Sequence, residues 1–160
     1  MTRFILASSS PRRYLLLRAA GFDFEVEAPD VDEYAIDGEE PDRMVLRLAR
    51  EKALACAGSP DTIVLGADTT VVLDGRILGK PEGETEAVEM LLSISGRTHV
   101  VVTGWALARA ARIVEDGFET TLVSMRSVNR EDAEAYAASG EPLDKAGAYA
   151  LQGEGARFVS

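Results

Sequence analysis

Two adjacent arginines stand where a helix should not carry positive charge. Ser10 and Pro11 are typical of the N-cap and first position of a helix, which places Arg12 and Arg13 at the next two positions. The N-terminal end of a helix carries roughly half a positive charge, so each cation there costs a few tenths of a kcal/mol or more. The same end offers unpaired backbone N–H groups that bind anions. A polyphosphate bound there would turn the repulsion into bidentate, charge-assisted hydrogen bonds with both arginines.

Carboxylates and lysines elsewhere in the chain could complete a polyphosphate site. Asp68 interrupts the apolar, β-branched run 62–73, and a carboxylate buried there needs a cation, a metal or backbone donors. Glu33 lies in an acidic loop and, like Asp68, offers hard oxygen ligands to Mg²⁺ or Mn²⁺. Lys52 and Lys80 can add point charges. A polyphosphate, a metal and a carboxylate that steers water together suggest hydrolysis of a phosphoanhydride, although the spacing does not say which bond breaks.

The balance of basic residues supports a role for the lysines. Fourteen of the 17 basic residues are arginine, so a retained lysine suggests a site that needs a compact point charge. Two alternatives stay open at this point. Lys52, on the apolar stripe of a helix, could extend to solvent, and a bulge at Gly66 could expose Asp68 at a strand end.

Three other features do not predict a catalytic site. Cys56 is the sole cysteine, and its apolar surroundings favour packing over nucleophilic chemistry. His99 is the sole histidine and begins an apolar strand without a nucleophile motif, so we expect a structural role. The segment 75–80 imitates a phosphate-binding P-loop, but three residues separate its glycines instead of four, and Pro81 stands where Ser or Thr must hold magnesium.

Strand and helix patterns alternate along the chain and must position these residues. We predict helices over 11–20, about 42–57, about 84–94 and 129–139, the first of them closed by Gly21. The predicted strands are 4–7, 22–28, 62–73, 77–78, 99–107 and 120–128, with a hairpin turn at 74–75. The segment 144–155 is rich in glycine and small residues, which lets backbone approach a ligand closely or forms an ordinary loop.

Length, charge and cysteine content bound the function class. A chain of 160 residues suits one globular domain. A formal net charge of -10 disfavours nucleic acid and anionic membranes as partners, so an anionic ligand must meet a local basic pocket. There is no apolar stretch of membrane-helix length and no signal peptide. Together with the single cysteine, these features predict a cytoplasmic protein.

Several segments carry a family resemblance. In order along the chain they resemble the motifs of the Maf family, and several motifs at compatible spacing make a far more specific signal than any one alone. The match runs from the first strand nearly to the last residue, and two of the three lysines, Lys80 and Lys145, lie inside matching segments. The segments are Leu6–Arg13, Gly66–Val72, Gly79–Pro81, Val102–Gly104 and Lys145–Gly153.

The resemblance implies a fold, an activity and roles for particular residues. It implies an α/β fold in which an elongated mixed sheet and flanking helices form two lobes around a cleft, as in inosine triphosphate pyrophosphatases. It also implies a nucleoside triphosphate pyrophosphatase that cuts between the α and β phosphates with a divalent metal, Mg²⁺ or Mn²⁺. Matched by position, Asp68 resembles the catalytic base or a metal ligand, and Glu33 resembles a second metal ligand. The phosphate-binding positions match Ser8, Arg13, Lys52 and Lys80, and the positions linked to base choice match Arg12, Thr69 and Gln152.

The stretch Lys145–Tyr149, followed by Gln152, resembles the corresponding segment of the family branch that acts on dTTP and UTP rather than on 7-methyl-GTP. An amide there could read a uracil-type edge, so we expect a pyrimidine preference. Ala150, Leu151 and Trp105 depart from the residues that the family more often shows. We expect a single domain over residues 1–160. Because family members usually continue beyond Ser160, we expect this domain to be short at its C-terminus. The resemblance leaves a homodimer open.

Rival functions come from other classes. One is a regulator of septum formation that binds a nucleotide without cutting it, in keeping with the family's association with division arrest. Asp68 and Glu33 argue against this regulator, because a pure binder has no need of anionic groups near phosphates. The other rivals are a pyrophosphatase for a modified nucleotide such as 7-methyl-GTP and a hydrolase of sugar phosphates.

Overall fold

The computed structural model describes residues 2–160, which form a mixed α/β fold. Parallel pairing of β1 with β2 and β3, and antiparallel pairing of β3 with β4, make the sheet mixed, as the resemblance implies. The strand order is β2-β1-β3-β5-β6, with β4 beside β3. The strands are β1 Arg3–Ala7, β2 Glu25–Val26, β3 Thr62–Leu73, β4 Arg76–Leu78, β5 Thr98–Arg109 and β6 Arg112–Ser124. The helices are α1 Pro11–Ala19, α2 Pro41–Cys56, α3 Glu84–Ile94 and α4 Arg130–Ala138, followed by 3₁₀ turns at Glu141–Asp144, Ala146–Ala148 and Glu154–Phe158.

The chain forms two compact units. The first comprises the described residues up to Asp68 together with Thr103–Glu119, and the second comprises Thr69–Val102 and Thr120–Ser160. Strands β3, β5 and β6 contribute residues to both units. Among residues 2–160, none of the helices has the length and apolar character that a membrane span requires.

Close backbone packing of α2 on the sheet organises the first unit. A Cβ atom on Gly66 of β3 would lie 2.2 Å from the Ala49 carbonyl oxygen, and one on Gly104 of β5 would lie 2.5 Å from the Val45 carbonyl group. Only glycine leaves room for such an approach of backbone to backbone. Small side chains from α2, β1 and β5 complete the apolar contact, including Ala7, Ala49, Ala53, Ala106 and Ala108. The approach places the inward face of α2 directly against β3.

Larger side chains form the core of the second unit. Leu91 and Ile94 from α3 are buried with Tyr136 from α4 and with Phe158. The Tyr136 and Phe158 rings meet edge to face, with centroids 5.3 Å apart. This core fixes the two helices and the glycine-rich C-terminal segment to one another.

Several predicted elements differ from the structure at their ends. The strand predicted over 22–28 is only Glu25–Val26, and the strand predicted over 120–128 runs over Arg112–Ser124. The first half of β6 is largely exposed and lacks apolar alternation, and its preceding turn uses Ala110 and Ala111 at positive φ instead of glycine. Ser10 occupies the N-cap of α1 but makes no side-chain capping bond.

Candidate active site

A buried ammonium group joins the two predicted carboxylates. Lys52 Nζ lies 2.7 Å from Asp68 Oδ1 and 2.7 Å from Glu33 Oε1. Lys52 and Asp68 are only 8% and 9% exposed. Lys52 therefore faces inward and does not extend to solvent, and the bulge that would expose Asp68 at a strand end is absent, because Asp68 lies inside the continuous strand β3. The close approach of α2 to Gly66, two residues before Asp68, puts the two side chains within contact distance.

The loop before α1 adds a serine, and the first turn of α1 adds an arginine. Arg13 Nη1 donates a hydrogen bond to Ser8 Oγ at 3.0 Å, and the same oxygen accepts the backbone N–H of Ser10 at 3.2 Å. Ser8 is buried and Arg12 is half-buried. The Ser8 hydroxyl therefore holds the backbone of the N-cap residue Ser10 and does not itself cap the first turn of α1.

Burial and neighbouring charges shift the pKa values of two groups at this site, Arg13 and Asp68. Burial lowers the pKa of the Arg13 guanidinium, Asp68 and Glu33 oppose that effect, and Arg12 adds to it. Burial raises the pKa of the Asp68 carboxyl, while its hydrogen bond and attraction to Lys52 pull it down without cancelling the rise. A carboxylate with a raised pKa is a better proton acceptor than an ordinary aspartate.

Two carboxylates are too few to enclose a metal ion but suit a divalent cation that is also bound by substrate phosphates. Across residues 2–160, no group of three or more His, Cys, Asp or Glu side chains could hold a metal ion alone. Magnesium, however, is commonly held by one or two carboxylates together with substrate phosphates and water. Asp68 and Glu33 each place an oxygen 2.7 Å from one cationic atom, so two hard donors already converge on a positive charge.

The remaining predicted residues belong to the second unit. Thr69 follows Asp68 in β3 and is half-buried, whereas Lys80 and Gln152 are exposed. Within this unit the Gly147 N–H donates to the Gly79 carbonyl at 3.1 Å, which joins the segment of Lys80 to the segment of Gln152. A Cβ atom on Gly147 would lie 2.9 Å from Val71, so β3 also packs against this junction. The structure thus groups Ser8, Arg12, Arg13, Glu33, Lys52 and Asp68 in one unit and Thr69, Lys80 and Gln152 in the other.

A carboxylate that the sequence analysis missed holds the turn after Gln152. The two oxygens of Glu141 accept the backbone N–H groups of Glu154 at 3.1 Å and Gly155 at 3.2 Å. A Cβ atom on Gly153 would lie 2.0 Å from Glu141 Oε1, so a side chain there would displace the Glu141 carboxylate. Burial alone would raise the pKa of Glu141, but the Tyr136 hydroxyl and these two backbone donors bring it below its ordinary value.

The segment before Gln152 is held by a buried pair. His99 Nε2 and the Tyr149 hydroxyl are 2.6 Å apart, and their rings meet edge to face. Burial lowers the pKa of His99 and raises that of Tyr149 to about 12, so both groups are neutral near pH 7. The structural role predicted for His99 follows from these contacts.

Sequence comparison identifies the family. A family model described as Maf-like protein matches residues 3–160. The chain belongs to the Maf family. It is 48% identical to a dTTP/UTP pyrophosphatase of Symbiobacterium thermophilum over 161 residues, which cover 100% of this chain and 82% of that protein. It is also 48% identical to a dTTP/UTP pyrophosphatase of Methylobacillus flagellatus over 163 residues, which cover 99% of this chain and 81% of the relative.

A solved structure shares the fold of this Maf-family chain. A HAM1 protein from Coxiella burnetii superposes with a TM-score of 0.51 at 18% identity, covering 78% of this chain and 73% of the other. At that identity the likeness concerns the fold alone. The mixed sheet and flanking helices of this chain agree with the fold class expected from the sequence.

Proposed function

We propose that this Maf-family protein is a nucleoside triphosphate pyrophosphatase that hydrolyses dTTP and UTP to the nucleoside monophosphate and pyrophosphate. The observation that carries the proposal is the buried Lys52, which bridges Asp68 and Glu33 in the unit that also contains Ser8 and Arg13. The Maf-family relatives, at 48% identity over nearly the whole chain, are named for this activity.

The triphosphate is bound by cations and by the start of α1. Arg12 and Arg13 lie in the first turn of the helix, where backbone N–H groups lack helical partners and the dipole favours an anion. Arg13 and Lys52, with Lys80 as a further cation, stabilise the charge that builds on the departing pyrophosphate. The arginine repulsion noted in the sequence is thereby offset by substrate.

Water is activated by Asp68. The carboxylate accepts a proton as the water oxygen bonds to the α phosphorus, and the bond from that phosphorus to the α–β bridging oxygen breaks. Its electron pair leaves with pyrophosphate. Lys52 holds Asp68 ionised while burial raises its pKa, and this combination keeps the group basic at neutral pH.

Glu33 and Asp68 are the residues that would hold a divalent cation, Mg²⁺ or Mn²⁺. When bound, such an ion supplies Lewis-acid polarisation of the phosphate oxygens. Because Lys52 contacts both carboxylates, it also limits their repulsion before substrate arrives.

Base choice is assigned to Arg12, Thr69 and Gln152. The Gln152 amide offers both a donor and an acceptor, as a uracil-type edge requires. We also propose a cytoplasmic setting, in agreement with the net charge of -10 and the single cysteine. A single domain over 1–160 and a homodimer stay predictions.

The test is a nucleotide panel with an isosteric variant. Asp68→Asn keeps the side-chain shape but removes the base, and Asp61→Asn, at an exposed position of the same unit, is the matched control. We expect pyrophosphate chiefly from dTTP and UTP rather than from CTP, GTP or 7-methyl-GTP. Asp68→Asn should lose turnover by roughly 10²- to 10⁴-fold, the usual contribution of a general base. Nucleotide binding without turnover in the unaltered protein would instead support the regulator.

A further inference from the structure

The segment that carries Glu33 has no regular structure to hold it. Between β2 and α2, residues 27–40 contain no helix or strand. Glu33 is itself exposed, yet its carboxylate meets Lys52 at 2.7 Å. A loop without a hydrogen-bonded ladder must be fixed by side-chain contacts, because each backbone residue that is ordered costs about 1–2 kcal/mol of conformational entropy.

Arg47 of α2 supplies those contacts. Its Nε and Nη2 donate to the two carboxylate oxygens of Glu39 at 2.8 and 2.7 Å. Nη2 also donates to the backbone carbonyl of Tyr34 at 3.1 Å. The guanidinium carbon lies 4.9 Å from the centroid of the Tyr34 ring. The Arg47 side chain therefore binds the loop at Glu39 and at Tyr34, the residue directly after Glu33.

The contacts require arginine rather than any cation. The planar guanidinium can bind a carboxylate through two parallel hydrogen bonds while it also contacts an aromatic face; a lysine ammonium can lie over a ring but cannot form the parallel pair at the same time. The pair is largely removed from solvent, with the side chains of Arg47 and Glu39 only 19% and 13% exposed. Arg47 also has a weaker contact with Glu51, at 3.4 Å.

Helix α2 therefore carries two groups that hold Glu33 and its neighbour. Lys52 contacts its carboxylate, and Arg47 holds the backbone of the next residue. We propose that Arg47 is a positioning residue that holds Glu33 at the metal and triphosphate site. The proposal rests on the proposed function for the metal role of Glu33, but the loop contacts themselves do not depend on it.

The experiment measures metal binding directly. Mn²⁺ affinity is determined by electron paramagnetic resonance with a non-hydrolysable α,β-imido analogue of dTTP bound to the full chain. Loss of a residue that orients a metal ligand typically costs roughly 10- to 100-fold in metal affinity. We expect Arg47→Lys to weaken Mn²⁺ binding about 10-fold. Arg43→Lys, one turn earlier on the same helix and exposed, should leave the affinity unchanged.

A double-mutant cycle separates positioning from general stability. If Arg47 acts through Glu33, Arg47→Lys should cause no further loss of Mn²⁺ affinity in a protein that already carries Glu33→Gln. A full additional loss in the double variant would overturn the proposal, as would an Arg47→Lys affinity equal to that of the unaltered protein. Glu39→Gln weakens the Arg47–Glu39 contact and should also lower the Mn²⁺ affinity. It provides the test if Arg47→Lys does not fold.

The outcome is distinguishable from failure of the proposed function. Absence of dTTP hydrolysis in the unaltered protein would reject the function, whereas normal hydrolysis with unchanged Mn²⁺ binding in Arg47→Lys would reject only the positioning role. Hydrogen exchange of residues 33–39 provides a readout independent of nucleotide and metal. We expect faster exchange in Arg47→Lys than in Arg43→Lys, and equal rates would show that the Arg47 contacts do not hold the loop.

Discussion

Replacing Lys52 by methionine should destabilise the fold strongly, because it leaves a buried carboxylate without its cation. Asp68 is 9% exposed and keeps only the more distant attraction of Arg13. Removing one partner of a buried ion pair costs about 3–5 kcal/mol. Glu33 is exposed and can return to water, so we place the loss near the lower end, about 3 kcal/mol. For a chain of this length that corresponds to roughly 6–12 °C in melting temperature.

The size of this effect should depend on pH through Asp68. Burial raises the folded pKa of Asp68 above its ordinary value, and loss of Lys52 removes the main opposing cause, so the folded pKa rises further. A group with a raised folded pKa lowers stability as pH rises from its unfolded pKa, about 3.9, through the folded value. The deficit of Lys52→Met should therefore be smaller at pH 4 than at pH 7.

Urea unfolding followed by the fluorescence of Trp105, the sole tryptophan, measures the effect at both pH values. Arg50→Met, on the same helix as Lys52, is the control, since it breaks the partly exposed pair between Arg50 and Asp116 of β6 and should cost less than about 1 kcal/mol. Adding Asp68→Asn to Lys52→Met should recover most of the loss, because a neutral pair has no uncompensated charge. A Lys52→Met variant within about 1 kcal/mol of the unaltered protein, or no recovery in the double variant, would refute the reasoning.

Further predictions concern packing and the turn at Gln152. Gly66→Ala should cost several kcal/mol of unfolding free energy, because its Cβ would lie 2.2 Å from a carbonyl oxygen of α2, and Gly58→Ala, where the space is open, is the control. Glu141→Ala should speed hydrogen exchange at the amides of Glu154 and Gly155 by roughly 10-fold or more, because losing an acceptor costs about 1–3 kcal/mol. Unchanged exchange would show that the turn does not depend on Glu141. Gln152→Ala should lower the ratio of dTTP to GTP hydrolysis, and an unchanged ratio would remove this residue from base choice.

Sequence patterns predicted the buried elements well, because their apolar periodicity is strong. β3 and α3 have the predicted ends, and Lys52 lies on the inward face of α2 as its position on the apolar stripe indicated. The carboxylate in β3 was recognised for the same reason, since a charge inside an apolar strand requires a partner. The identity of that partner followed only from the approach of α2 at Gly66.

The parts that were missed depend on contacts between residues without periodic patterns. The first half of β6 is an exposed strand of mixed polarity, so alternation does not mark it. Arg47 and Glu141 act on irregular loops eight to fourteen residues away, and nothing in the local sequence specifies which backbone groups they bind. Such side-chain clamps become visible only once the chain is folded.

The position of bond cleavage tests the account most directly. Hydrolysis of dTTP in ¹⁸O-labelled water, with products separated by mass spectrometry, shows which phosphorus the water attacks. We predict equal amounts of dTMP and pyrophosphate with the label in dTMP, and loss of both products in Asp68→Asn. Label in pyrophosphate, release of orthophosphate, or undiminished turnover in Asp68→Asn would contradict attack at the α phosphorus by water that Asp68 activates.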